Sequence, residues 1–225
     1  KDEKVEIRPC DPQLKNTVHL LGFRESDLCL PWREGKVHIL KMLEGQIVTE
    51  DVQEEVGYTE EKGRKVFKPD GTYQKIAAVE RHKNTGKIGV GIVKGFGLRG
   101  GAIASSVSHD SHNLIVIGDN DHDMYLAVQE LLRTQGGYTL VENGQVFDTL
   151  PLPIMGLMSD AGYEKVNEKL ARMIPKAHEM GIPEGFDPFI TLSFMALPVI
   201  PEIRITPRGV YLTQEDRMIQ SPFDR

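Results

Sequence analysis

The sequence predicts an α+β fold: a mixed, largely antiparallel sheet or sheets with hairpins, and about three helices packed on them. Three observations predict it. Apolar segments of strand length outnumber stretches with helical spacing. The strand candidates come in pairs separated by short turn sequences, which is hairpin order rather than the alternation of a doubly wound fold. Only three stretches carry the spacing and caps of helices.

The elements follow in order. Residues 1–15 are polar and irregular in pattern. Residues 18–23 and 37–42 read as short strands, with Pro31 and Gly35 breaking the stretch between them. Residues 46–56 are a weaker strand candidate. Residues 57–71 are charged and interrupted by Gly63 and a Pro-Asp-Gly turn, so an exposed loop or hairpin is expected there, the most mobile part of the chain. Residues 75–80 and 87–93 form an apolar pair across HKNTG. Residues 100–107 and 114–118 form another across SHDSHN. The Gly, Ala and Ser content of GGAIASSV predicts a strand packed close to another backbone. Residues 121–134 carry helical spacing, with Asp119, Asn120 or Asp121 as cap and Gly136-Gly137 as stop. Residues 138–141 and 145–150 flank Asn143-Gly144, a strong hairpin turn. A helix begins at Ser159 or Asp160 and runs to about Met180, with Pro175 expected to kink or split it. Residues 188–196 form a short helix capped by Asp187, and residues 203–205 and 210–213 are closing strands.

The formal net charge of -6 and the lack of a basic stripe argue against nucleic acid as a partner. No apolar run approaches the roughly 20 residues of a membrane span, so no membrane partner is expected. The first ten residues, KDEKVEIRPC, have no apolar core of the kind a signal peptide needs. Cys10 and Cys29 read as free thiols of a reducing cytoplasm. The chain starts with Lys rather than Met, as a fragment or a processed protein would.

The densest polar cluster is Ser108-His109-Asp110-Ser111-His112-Asn113, held between two apolar strands. Two imidazoles and a carboxylate suit either a transition metal or proton transfer. The alternative is a polar turn whose Asp and Asn bond their own backbone. His109 and His112 are candidate metal ligands, but two histidines complete no site. A second cluster, GDNDHDM from Gly118 to Met124, reads either as helix capping or as the edge of an active site. A strand of the intervening length spans roughly 13–17 Å, so the two clusters share a pocket only if the strand end bends back. GFGLRG fits a dinucleotide-binding glycine frame poorly, because a strand follows it rather than a helix. Arg99 within it can reach an anionic group. Arg81-His82 reads as an exposed surface pair, and His19 and His38 as structural. No zinc-deaminase, nucleophile-elbow or zincin motif is present.

Residues 80–118, ERHKNTGKIGVGIVKGFGLRGGAIASSVSHDSHNLIVIG, resemble the C-terminal domain of adenine deaminases. LPLPIMGLMSD at 150–160 and DPFITLSFMALPVIPEIRITPRG at 187–209 continue the resemblance in the same order. It covers most of the chain from residue 75 onward, so residues 75–225 are expected to be the family core and residues 1–74 a loosely matching set of strands and loops. The resemblance implies a cytoplasmic hydrolase of the amidohydrolase superfamily acting in purine metabolism: an aminohydrolase converting adenine to hypoxanthine and ammonia. It also implies a binuclear site with manganese or iron, in a barrel N-terminal to this region, and a homo-oligomeric assembly. The HxH motif that such a barrel contributes is absent from this sequence, so no complete metal site is expected in this chain, and its partners would be adenine and the barrel domain or chain. On this reading His109, Asp110 and His112 are contributors at the barrel mouth. Ser111, Asn113, Arg99 and Asp119 are the candidate substrate-binding residues. Competing readings are a non-catalytic purine-binding or oligomerisation module, and a free-standing metal hydrolase built on SHDSHN alone.

Overall fold

The computed structural model describes residues 10–224, so the expectations for residues 1–9 lie outside the described residues. In chain order the strands begin with β1 (Val37–Met42), β2 (Thr49–Glu54), β3 (Tyr58–Glu61), β4 (Arg64–Phe67), β5 (Tyr73–Val79), β6 (Ile88–Lys94), β7 (Gly101–Ser105) and β8 (Leu114–Gly118). Helix α1 (Asp121–Thr134) precedes β9 (Gly137–Glu142) and β10 (Gln145–Pro151). Then come α2 (Tyr163–Glu179), α3 (Pro188–Phe194), β11 (Ile203–Thr206), β12 (Gly209–Leu212) and β13 (Arg217–Ile219).

Eight strands form the central sheet in the order β10-β9-β7-β8-β5-β6-β1-β2. Every pairing in it is antiparallel except β1 with β6. The sheet is apolar on both faces, which is why β8 reads as an unbroken LIVIG rather than an alternating strand. One face packs Ala102, Ala104, Leu114 and Val116 against Met124, Ala127, Val128 and Leu131 of α1. The other packs Ile103, Ile115, Ile117 and Leu140 among side chains of α2, α3 and the β11-β12-β13 sheet. Strands β1 and β2 join the same sheet as the elements after residue 75. The α+β expectation holds, with three α-helices laid on mixed and antiparallel sheets.

Three local expectations are corrected. Residues 18–23 form no strand. Their backbone is tied at single points instead: Thr17 and Val18 donate to the Gln135 side chain, and His19 to the Arg81 carbonyl. Helix α2 starts at Tyr163 and runs unbroken through Pro175. Its Val166, Leu170, Met173, Ile174 and Ala177 all pack on the core, and that face holds the helix together across the missing donor. Strand β13 was not foreseen, because three residues carry too little pattern to read. Elsewhere detail agrees: residues 57–71 contain the β3–β4 hairpin, and Asn120 is the α1 cap, accepting the Asp123 N–H at 2.8 Å.

Candidate functional site

The SHDSHN segment joins β7 to β8 at one end of the central sheet. Its approach is fixed by serines that the sequence places just before it. Ser105 Oγ accepts the Val107 N–H at 2.9 Å. Ser106 Oγ donates to the Gly156 carbonyl at 2.6 Å and accepts the Gly137 N–H at 2.8 Å. The strand end is thereby anchored to the turn after α1 and to the 154–158 turn. Beyond it, the His109 N–H donates to the Ser193 carbonyl of α3 at 3.1 Å, and the His112 N–H to the Ser108 carbonyl at 2.6 Å.

The two histidines are brought together. Their ring centroids lie 5.8 Å apart in an edge arrangement, and the His109 ring stacks on Phe194 at 4.9 Å. The His109 side chain is 35% exposed and that of Asp110 is 85% exposed. Ser111 is also exposed, whereas Asn113 is buried. Two buried polar atoms of the loop, His112 Nδ1 and Ser108 Oγ, have no hydrogen-bond partner among the described residues. Burial, with the charges of His109 and Arg81, holds the His112 imidazolium below the ordinary histidine range. A neutral imidazole with a free nitrogen can accept or pass a proton.

Residues that sequence reasoning set aside support this loop. Arg81 is not an exposed surface residue: it is 1% exposed. Its guanidinium donates to the carbonyls of His112 at 2.5 Å, Thr17 at 2.9 Å and Met155 at 3.0 Å. His82 is exposed as expected, yet its Nε2 donates to the Ser111 carbonyl at 2.7 Å. The Asn113 side-chain oxygen accepts the Arg81 N–H at 3.3 Å. Ser193 and Phe194 completed the site from a distant part of the chain. No single-sequence signal marks which arginine is buried or which helix meets a loop.

The other candidates stand apart. Asp119 lies at the opposite end of β8, and the strand end does not bend back. Its carboxylate accepts the N–H groups of Gly100 at 2.5 Å and Gly101 at 3.1 Å. Arg99 is exposed beside Gly71 and the α2 terminus, where its N–H donates to the Met180 carbonyl at 2.8 Å. Near that same end a cleft of about 1090 Å³ opens between the β3–β4 hairpin and the start of α1, with Cys29, Arg64, Lys75 and Asp121 among its lining. Lys75, buried, is ion-paired with Asp121. Burial pushes the Asp121 carboxyl above the usual carboxylate range, against the pull of Lys75. His38 is structural, hydrogen-bonded to the Asp51 carboxylate at 2.9 Å.

Among the described residues no three His, Cys, Asp or Glu side chains are grouped to hold a metal ion. His109 and His112 supply two imidazoles and no third ligand, so the described residues do not fit a metal centre by themselves. Among the same residues no helix is long and apolar enough to cross a membrane.

Comparison with known proteins gives one family. A family model described as the adenine deaminase C-terminal domain matches residues 46–217. An adenine deaminase of Desulfitobacterium hafniense (strain Y51) is 50% identical over 220 residues, covering 98% of this chain and 38% of the relative. One from Nitratidesulfovibrio vulgaris (strain DP4) is 44% identical over 202 residues, covering 89% of this chain and 35% of the relative. One from Bacillus subtilis (strain 168) is 43% identical over 205 residues, covering 89% and 35% respectively. The chain thus spans little more than a third of the length of these curated relatives.

Proposed function

The chain belongs to the adenine deaminase C-terminal domain family, and from that premise we propose that it forms the C-terminal part of an enzyme hydrolysing adenine to hypoxanthine and ammonia. The observation that carries the reading is the end of the domain at SHDSHN. There two imidazoles, an exposed carboxylate 3.8 Å from His109 Nδ1 and an exposed serine stand on a backbone anchored from several sides.

Hydrolytic deamination needs a proton taken from water and a proton given to the leaving amine. The two imidazoles stand side by side, His112 half-buried and His109 at the surface, where a proton can be taken up or passed on. Asp110 and Ser111 are free to meet substrate or the catalytic part. Asn113 serves by holding Arg81. The metal, manganese or iron, supplies activated water when bound. Its ligands belong to the part of the enzyme that the longer relatives carry beyond this region. The two free thiols fit a cytoplasmic location, and the reading includes a homo-oligomeric enzyme.

A coupled ammonia assay with adenine tests this division of labour. The full-length enzyme is expected to release ammonia, and the 225-residue chain alone to release none with or without Mn²⁺. Ammonia release by the chain alone would place the reacting centre here and overturn the proposal.

A further inference from the structure

We propose that Arg81 is a positioning residue for the SHDSHN loop: its buried guanidinium holds the carbonyls of His112 and Met155 and thereby fixes both backbones in the left-handed region. The inference rests on the reading that this loop acts in deamination.

Two features set Arg81 apart. First, among the described residues every acceptor of its guanidinium is neutral: the carbonyls of Thr17, His112 and Met155, and the Thr17 hydroxyl at 3.2 Å. A buried guanidinium without a carboxylate is costly to keep. Burial alone pushes Arg81 down to about 10. An apolar side chain would fill the space more cheaply, so packing does not explain an arginine here.

Second, two of the carbonyls belong to non-glycine residues with positive φ: His112 at 49° and Met155 at 59°. An L-residue with a side chain persists there only where its surroundings hold it, and such residues gather at functional sites. Arg81 Nε takes one of these carbonyls and Nη2 takes the other. The planar fork reaches both at once, which the single ammonium of a lysine cannot reproduce.

The packing around the fork agrees. A Cβ built on Gly156 would lie 2.9 Å from both Nη1 and Nη2, so the guanidinium sits flush on that backbone. The Gly156 carbonyl is in turn held by Ser106, at the root of the loop. One side chain therefore holds the backbone from which the His112 ring projects, and among the described residues the ring's Nδ1 has no partner.

The test is Arg81→Lys in the full-length enzyme, with steady-state kinetics and a crystal structure. The variant is expected to fold, to lose about tenfold or more in kcat with KM within about twofold, and to show His112 and Met155 leaving the left-handed region. Arg81→Gln, which keeps a planar donor group but loses the fork, is expected to show the same kcat loss and serves if Arg81→Lys fails to fold. The proposal is overturned if both residues keep their conformation without the fork. If the backbones shift and kcat does not change, the clamp stands and the catalytic reading of the loop fails.

Discussion

Replacing His109 and His112 together with alanine in the full-length enzyme is expected to lower kcat/KM for adenine by about a hundredfold. The size follows from what positioned acid–base groups contribute, and the two imidazoles are the loop's groups suited to pass a proton. The fold should survive. His109 is partly solvent-exposed, and among the described residues the buried Nδ1 of His112 has no hydrogen bond to lose. The loop backbone is held by Ser106, Ser193 and Arg81, none of which is altered. Metal content should stay at the wild-type value, because no third ligand accompanies the pair among the described residues. Steady-state kinetics with elemental analysis reads both outcomes. Unchanged kcat/KM would remove the loop from the chemistry.

A large loss of stability is expected from Gly101→Ala, at about 3 kcal/mol, or a fall in melting temperature of about 10 °C. A Cβ on Gly101 would lie 2.0 Å from the Val141 carbonyl oxygen of β9 and 2.6 Å from the Met180 methyl. The methionine can turn away, but the β9 backbone cannot move without opening the β7–β9 ladder. Gly101 also gives its N–H to Asp119 and accepts the Asp119 N–H at 3.2 Å, so a shift there loosens the turn into α1. Gly144→Ala is the comparison. It has positive φ but open space around it, and should cost only the strain of that conformation, about 1 kcal/mol. Thermal unfolding of the two variants separates them. Equal losses would mean that close approach to β9 is not what requires glycine at 101.

Much of this was legible because local chemistry and tertiary structure agree. Helix α1 carries its own cap and stop, and Asn143-Gly144 its own turn. The small residues of β7 announced a close neighbour, and β9 is that neighbour. The sequence misled where side chains replaced a ladder. Residues 18–23 look like a strand, yet their backbone is held by Gln135 and Arg81, more than fifty residues away in the chain. Pro175 should break a helix in isolation, but the packed face of α2 outweighs it. In the candidate site the polarity of SHDSHN marked the right loop. Arg81 was misjudged because a charged residue is exposed by default, and only the fold shows its acceptors converging. Asp119 and Arg99 are near the loop in sequence, but the length of the strands puts them at the sheet's other end.

On this proposal the histidine-bearing end of the domain faces the catalytic part of the enzyme. Thiol labelling at residue 111 in a Ser111→Cys variant, read by peptide mass spectrometry, tests it most directly. Ser111 is exposed in this domain, and the native exposed Cys29, in the cleft near the other end of the sheet, is the internal control. Labelling at 111 should be fast in the 225-residue chain, at least tenfold slower in the full-length enzyme and slower again with adenine bound, while Cys29 reacts alike in both. Equal rates at 111 in the chain and in the full-length enzyme would show that this end faces solvent, and would contradict the account.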